Sequence, residues 1–223
     1  MEWHRYSTVG IRESGSSVGG PVDPLDLVAV ADRIGIVSFA ISGVAVGIRA
    51  KLDLYGLIVL GLVTAIGGGF MRDIVISDIP RVLQTTDYLL FAIGATVVAI
   101  SAGALGWTAP GPVMKAADSL GTGAFAATGA LLSVEAGLDW PAGVILAVLT
   151  ATGGGVIRDV LVGAIPHVLH RGLNATGSAA GGAVTLALVS TDVTVAALAG
   201  GVVGMLVTAA GHTERVRLPT LPG

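Results

Sequence analysis

The stretch TAIGGGFMRD at residues 64–73 occurs a second time, as TATGGGVIRD at residues 150–159. The two copies belong to a longer repeat, in which residues 32–83 align with residues 118–169 without a gap, at an offset of 86 positions. Twenty of the 52 aligned pairs are identical, and they include Gly35 with Gly121 and Phe39 with Phe125. Shared apolar composition does not produce GGGxxRD twice in one register. The chain is therefore predicted to contain two copies of one structural unit.

The composition around this repeat is that of a membrane protein. Of the 223 residues, 53% are hydrophobic and only 12% are charged, and the mean hydropathy is +0.85. So few charges exclude a disordered chain and argue against a soluble globule. The 34 glycines follow no three-residue period, which excludes collagen. Small residues at this frequency are typical of closely packed transmembrane helices.

Several kinds of chemistry are excluded by what the sequence lacks. The net charge of −3 provides no basic field for nucleic acid, and the absence of cysteine removes disulfides and thiolate catalysis. The four histidines have no metal-binding spacing, and the apolar segments hold no nucleophile–base set. We therefore expect no enzyme, no metal site and no cofactor. The first 24 residues mix charges with Gly and Ser and predict a disordered extension rather than a signal peptide.

Seven apolar segments approach the ~20 residues that a helix needs to cross the hydrocarbon core of a bilayer. They cover residues 25–48, 54–76, 88–105, 113–134, 141–162, 173–189 and 193–210. The predicted divisions are a disordered extension (1–24), a first three-helix repeat (25–107), a second (113–190), a seventh transmembrane helix (193–210) and a C-terminal tail (211–223). The predicted fold class is all-α, a polytopic membrane protein with seven transmembrane helices as a 3+3 inverted repeat plus one.

The inversion follows from the number of spans in each repeat. Because three is odd, the second copy must cross the membrane in the direction opposite to the first, and such folds place a permeation or binding site near the midplane between the repeats. The loops carry six Lys and Arg residues on one side and three on the other. This bias predicts an N-terminus outside and a C-terminus in the cytoplasm.

The glycine triplets lie inside the second and fifth spans, past the middle of the membrane. Each glycine costs a helix about 1 kcal/mol relative to alanine, so three in a row predict a break or kink whose freed backbone groups could face ions. The alternative is that these glycines only allow close helix packing, and the two roles are compatible. The candidate pore or kink residues are Gly67, Gly68, Gly69, Gly153, Gly154 and Gly155.

Charged residues inside the spans form the second group of candidates, because charges at this depth usually mark a functional site or a partner pair. Arg72 and Asp73 follow the first triplet, and Arg158 and Asp159 follow the second. Adjacent helix positions point about 100° apart. We therefore predict that Arg72 pairs with Asp159, and Arg158 with Asp73, across the pseudo-two-fold axis. The alternative is that these residues snorkel at the membrane interface.

Two more matched pairs are candidates for the mouth or wall of a path. Asp32 and Asp118 lie near the beginnings of the first and fourth spans. They either complement the helix dipole there or draw cations to the two mouths. Ser42 and Thr128 either contribute hydroxyls to a pore wall or bond back to a helix carbonyl.

The duplicated motif Gly67–Asp73 and Gly153–Asp159, together with the 3+3+1 layout, resembles the prokaryotic branch of the trimeric intracellular cation (TRIC) channel family over residues 26–210. The same sequences are also grouped as UPF0126, under a glycine-transporter label. The resemblance implies a homotrimer in a prokaryotic plasma membrane, with one hourglass pore per protomer between the repeats. It implies conduction of monovalent cations, chiefly K⁺, with the glycine-kinked helices at the waist and the Arg and Asp residues of the motif near the pore.

A second function stays open from the residues alone. Inverted repeats with broken helices also build secondary transporters, here for glycine or another small amino acid. The half-helix ends and Arg/Asp pairs could hold a zwitterion, whereas the matched Ser, Thr and Gly positions could line a continuous polar path. In either case the expected partner is the lipid bilayer, and the only small ligands of a channel would be permeant K⁺ or Na⁺ ions.

Overall fold

The computed structural model describes residues 24–107, 111–170 and 173–212. The described residues form nine helices: α1 (Pro24–Arg49), α2 (Leu54–Val75), α3 (Arg81–Gln84), α4 (Thr86–Ala104), α5 (Gly111–Glu135), α6 (Trp140–Leu161), α7 (His167–His170), α8 (Leu173–Leu188) and α9 (Val193–Gly211). The predicted disordered extension up to residue 23 and the tail after residue 212 lie outside the described residues.

The long helices begin where the sequence supplies caps. The Asp53 carboxylate accepts a hydrogen bond of 2.8 Å from the Gly56 N–H at the start of α2, and Asp192 does the same for Val195 at the start of α9. Such caps satisfy backbone donors that the first turn leaves free. Helix α6 instead has Pro141 in its first turn, where the missing N–H costs nothing. Each of the seven predicted spans corresponds to one long helix.

Five of the described helices are long and apolar enough to cross a membrane, by length and composition. They are α1, α2, α4, α6 and α9. Helix α8 has only 16 residues, which cover about 24 Å at 1.5 Å per residue. Helix α5 has 25 residues but starts with a polar stretch that contains Lys115 and Asp118. Five spans are therefore supported, and the predicted total of seven stays a prediction.

The fold repeats the sequence duplication. Helices α2 and α6 are related by the offset of 86 at both ends, and so are the short helices α3 and α7. Within the repeats, α1 packs on α2 and α4, as α5 packs on α6 and α8. Between the repeats, α1 packs on α5 and α2 packs on α6. Helix α9 has no counterpart and packs mainly against α5 and α8 of the second repeat, with a smaller contact to α1.

The contact between α2 and α6 shows the direction in which the two repeats run. A Cβ atom on Gly68 would lie 2.0 Å from the carbonyl oxygen of Thr150, and one on Gly154 would lie 2.2 Å from that of Thr64. Moving forward along α2 therefore means moving backward along α6. The two helices cross antiparallel, and the second repeat is inverted relative to the first.

Of the predicted break or kink at the glycine triplets, the break is wrong, and a kink stays a prediction. Both α2 and α6 are continuous α-helices across Gly67–Gly69 and Gly153–Gly155. A helix surrounded by apolar groups keeps its backbone hydrogen bonds because no water competes for them. The triplets instead serve close packing, which was the alternative: the Cα atoms of Gly67 and Gly68 lie at the crossing point with α6. The third glycine of each triplet does not face the crossing, since its nearest atoms belong to Arg72 or Arg158.

Candidate functional site

The first buried ion cluster is centred on Arg72. Two guanidinium nitrogens of Arg72 donate to both oxygens of Asp32, at 2.9 and 3.1 Å, and its Nε donates to Asp73 at 2.8 Å. All three residues are at most 2% exposed. Arginine suits this position because its planar fork matches a carboxylate in a bidentate pair and leaves Nε for a second acceptor. The cluster is closed, with every carboxylate held by the one arginine.

The second cluster, centred on Arg158, has the equivalent residues in a more open arrangement. Arg158 contacts Asp159 through Nε and Nη2, each at 2.8 Å, whereas Arg72 contacts Asp73 through Nε and directs its Nη2 to Asp32. Its distance to Asp118 is 3.8 Å, too long for a hydrogen bond. Asp118 instead accepts a hydrogen bond of 2.9 Å from the Asn174 amide, and His212 Nε2 lies 3.7 Å away.

These contacts correct the predicted ion pairs. Arg72 and Arg158 each pair with the next residue and with an aspartate of their own repeat, so the predicted Arg72–Asp159 and Arg158–Asp73 pairs are wrong. The argument from adjacent helix positions failed because the long arginine side chain bends back to its neighbour. Snorkelling is also wrong for these groups, since both arginines are buried.

The dipole role at a helix start is wrong as well for Asp32 and Asp118. Helix α1 begins at Pro24 and α5 begins at Gly111, so both aspartates lie about two turns inside their helices. Their position is explained by the arginines that they face.

The contacts that cross between repeats are made to hydroxyl groups. Arg158 Nη1 donates to Ser42 at 2.6 Å, and Arg72 Nη1 donates to Thr128 at 3.2 Å. The Thr128 hydroxyl also donates back to the Phe125 carbonyl at 3.2 Å, as the alternative for this residue expected. The matched hydroxyls therefore receive the arginine of the opposite repeat, a role that the sequence did not indicate.

The aspartate of each motif also fixes the short helix that follows it. Asp73 accepts from the backbone N–H of Arg81 at 2.9 Å, and Asp159 accepts from that of His167 at the same distance. These donors are the first residues of α3 and α7, so each carboxylate stabilises a helix N-terminus. The His167 ring adds a contact of 3.1 Å to Asp159. In each repeat, the aspartate of the motif therefore links its own long helix to the arginine and to the short helix that follows.

Each cluster borders a cavity, and the two cavities are lined by equivalent residues. Their volumes, including the space at their mouths, are about 290 and 270 Å³. The first lies beside Asp32, Arg72 and Asp73, and the second beside Asp118, Arg158 and Asp159. Because α2 and α6 cross antiparallel, the two cavities lie toward opposite ends of that crossing.

The charges that line the second cavity sum to −1, whereas those that line the first sum to zero once Arg81 is counted with its buried cluster. Each cluster contains two carboxylates and one arginine, a formal sum of −1. Arg81 adds a positive charge to the lining of the first cavity, and Glu135 lies 4.0 Å from it. Low-dielectric walls strengthen the field of such charges and raise the local concentration of counter-ions, here cations. Among the described residues, no group of acidic and histidine side chains could hold a metal ion.

Sequence reasoning missed the residues that make the two cavities different. Asn174 lines the second cavity at the position equivalent to Tyr88, which lines the first. His167 likewise stands where the first repeat has Arg81. The alignment of the repeats contains both substitutions, but only the fold shows that they lie beside the duplicated charges.

Two inverted repeats of apolar helices, each with a buried arginine–carboxylate cluster, define an integral membrane protein of the inverted-repeat class. The sequence profile of a family described as glycine transporter matches the chain twice, at residues 29–103 and 115–190. A UPF0126 membrane protein of Deinococcus radiodurans is 40% identical over 160 residues, 70% of this chain and 74% of that protein. The UPF0126 inner membrane protein of Escherichia coli is 33% identical over 199 residues, 87% of this chain and 96% of that one.

Solved structures show the same architecture. A prokaryotic TRIC channel crystallised in 0.5 M KCl matches with a TM-score of 0.80 and 28% identity, over 87% of this chain and 100% of that chain. The TRIC trimeric intracellular cation channel orthologue from Rhodobacter sphaeroides matches with a TM-score of 0.78 and 30% identity, over 85% and 99%. The chain belongs to the TRIC/UPF0126 family of membrane proteins, and its structural neighbours are cation channels rather than enzymes.

Proposed function

We propose that this chain is a monovalent cation channel that conducts K⁺, assembled as a homotrimer with one pore in each protomer. The pore runs between the inverted repeats, along the crossing of α2 and α6, and joins the two cavities. The observation that carries the proposal is the pair of equivalent cavities at opposite ends of this crossing, each beside a cluster with a formal charge of −1. The structural similarity to TRIC cation channels supports it.

The residues have distinct roles in this proposal. The duplicated aspartates and arginines set the potential in the two cavities, and Gly67, Gly68, Gly153 and Gly154 bring the helices together at the waist. The protein sits in the plasma membrane of a prokaryote with its N-terminus outside and its C-terminus in the cytoplasm. Seven membrane crossings are part of the same proposal, because an odd number puts the termini on opposite sides.

Planar-bilayer recording of the purified full chain tests this function. In a KCl gradient, we expect unitary currents that reverse near the K⁺ equilibrium potential. Asp118→Asn should move the reversal potential toward zero, because it removes a charge that only loosely contacts Arg158. Asp139→Asn is the matched control, since Asp139 is exposed and its side chain makes no capping hydrogen bond.

Two outcomes would contradict the proposal. One is the absence of unitary currents together with saturable glycine uptake into liposomes, which would favour the transporter. The other is current that reverses at the Cl⁻ potential. Cross-linking of the protein in native membranes tests the assembly separately, and a ladder that ends at three copies is the expected result.

A further inference from the structure

Two phenylalanines meet at the centre of the molecule. Phe39 on α1 and Phe125 on α5 are related by the sequence offset, and their ring centroids lie 5.4 Å apart with planes tilted by 30°. Each residue is 1% exposed. Equivalent residues that touch each other must lie on the pseudo-two-fold axis that relates the repeats. The same argument applies to the glycine contact between α2 and α6, so the axis passes through both crossings.

The two rings form the wall between the cavities. Phe125 belongs to the second repeat but lines the first cavity, beside Asp32 and Arg72. Phe39 belongs to the first repeat and lines the second cavity, beside Asp118 and Arg158. The pair of rings therefore lies where the two cavities approach each other.

A glycine one turn before each phenylalanine makes room for the opposite ring. A Cβ on Gly35 would lie 2.5–2.8 Å from three ring atoms of Phe125. A Cβ on Gly121 would lie 3.3 Å from two ring atoms of Phe39. The ring of Phe125 is thus held more tightly than the ring of Phe39. These duplicated glycines have no part in the charge clusters, and their contacts explain why both repeats carry them.

We infer that Phe39 and Phe125 form the barrier to ion passage in the pore, and that current flows when the rings separate. This inference rests on the proposed function. A monovalent cation cannot take its hydration shell between two buried rings in contact, and the rings offer too little in place of the lost water. Hydrophobic constrictions of this kind act as gates by excluding water.

Recording from Phe39→Ala, Phe125→Ala and the double variant tests the barrier. We expect the open probability, the unitary conductance or both to rise several-fold in the single variants, and further in the double variant. Phe91→Ala is the matched control because Phe91 lies on α4, exposed and outside both cavities, and its currents should equal those of the unchanged protein.

Two further variants keep the test decisive if an alanine variant does not fold. Phe39→Leu preserves most of the packed volume but replaces one ring with a smaller aliphatic side chain. We therefore expect the open probability or the unitary conductance to rise less than in Phe39→Ala. Gly35→Ala keeps both rings but displaces Phe125, and it should alter the open probability. Gly94→Ala is its control, because a Cβ added there would meet no atom within 4 Å apart from the neighbouring backbone of its own helix.

Unchanged currents in the folded phenylalanine variants, beside normal currents of the starting protein, would overturn the barrier and leave the channel intact. If neither the variants nor the starting protein gave unitary currents, this result would instead overturn the proposed function, and the barrier with it. The two failures are therefore distinguishable.

Discussion

Arg72 and Arg158 occupy equivalent positions in the two repeats, and their surroundings differ most in the contact to the aspartate of α1 or α5. Arg72 holds Asp32 with two hydrogen bonds, whereas Arg158 lies 3.8 Å from Asp118. The difference arises outside the duplicated motif. Asn174 donates to Asp118 where the first repeat has Tyr88, and α9 ends beside the second cluster and not the first. The backbone symmetry of the repeats is therefore not matched by their electrostatics.

The comparison shows that the two ends of the α2–α6 crossing are electrically unlike. The Asp32 side chain is 3% exposed and both its oxygens are bound by Arg72. The Asp118 side chain is 15% exposed and shares its oxygens among weaker partners. A cation that enters the second cavity meets a carboxylate that is less fully neutralised, so we expect cations to interact more strongly on that side.

The largest expected effect is on stability, when either arginine is replaced by methionine. Arg72→Met leaves Asp32 buried with no partner, and breaking a buried pair in this way costs about 3–5 kcal/mol. Arg158→Met should cost less, because Asn174 still binds Asp118 and the His167 ring still contacts Asp159. The free energy of unfolding in detergent micelles measures both. If both variants lost the same free energy of unfolding, the shorter Arg72–Asp32 contact would contribute no more stability than the longer Arg158–Asp118 contact.

The glycine crossing provides a test in which the two repeats should behave alike. Gly68→Ala and Gly154→Ala each push a methyl group into a carbonyl oxygen of the facing helix. Overpacking of this kind typically costs about 1–3 kcal/mol. Gly69→Ala and Gly155→Ala are the controls, since a Cβ there would meet only an arginine end at 3.6 or 3.7 Å.

Thermal unfolding of the four glycine variants, detected by size-exclusion chromatography, measures the loss of stability in each. The controls should be neutral or slightly stabilised, because alanine favours a helix over glycine. A control that unfolds as easily as its neighbour would mean that the whole triplet, and not one face of it, packs against the opposite repeat.

The smallest expected effect is the loss of a hydroxyl contact, and here the second cluster should lose more stability than the first. Ser42→Ala removes the 2.6 Å contact to Arg158, which has no short bond to Asp118 to fall back on. Hydrogen bonds to charged groups contribute about 1.5–3 kcal/mol, so a loss near the lower end is expected. Thr128→Val should cost less, because the contact is 3.2 Å and Asp32 still holds Arg72. Chemical denaturation curves of the two variants decide the order, and a costlier Thr128→Val would contradict it.

Much of the fold could be predicted from the sequence because membrane helices leave a strong signal. Long apolar segments separated by polar loops identify the helices; for example, the predicted span 54–76 is the helix Leu54–Val75. The gap-free repeat and its odd number of spans identified the inversion, which the packing of Gly68 on Thr150 confirms.

The charged residues of the two ion clusters could be listed from the sequence, but their pairing could not. The duplicated Asp32, Arg72 and Asp73 are one cluster, yet only helix packing reveals which carboxylate faces which arginine. Within each repeat, the duplicated charges inside the spans are two aspartates and one arginine, and this ratio is the signal that could have favoured a cluster inside each repeat. The rings of Phe39 and Phe125 were matched in sequence, but their contact depends on where the symmetry axis runs, which no sequence pattern gives.

The closure of each ion cluster within its own repeat has a consequence for how the chain enters the membrane. Arg72 finds both Asp32 and Asp73 within its own repeat, so this pairing needs no residue of the second repeat. An unpaired charge waiting in lipid would be expensive. The contacts that must wait for the later repeat are those to Ser42 and Thr128, which are uncharged and can stay without an arginine at little cost. Each half can therefore enter the membrane with its arginine beside its own aspartates, before the two halves assemble.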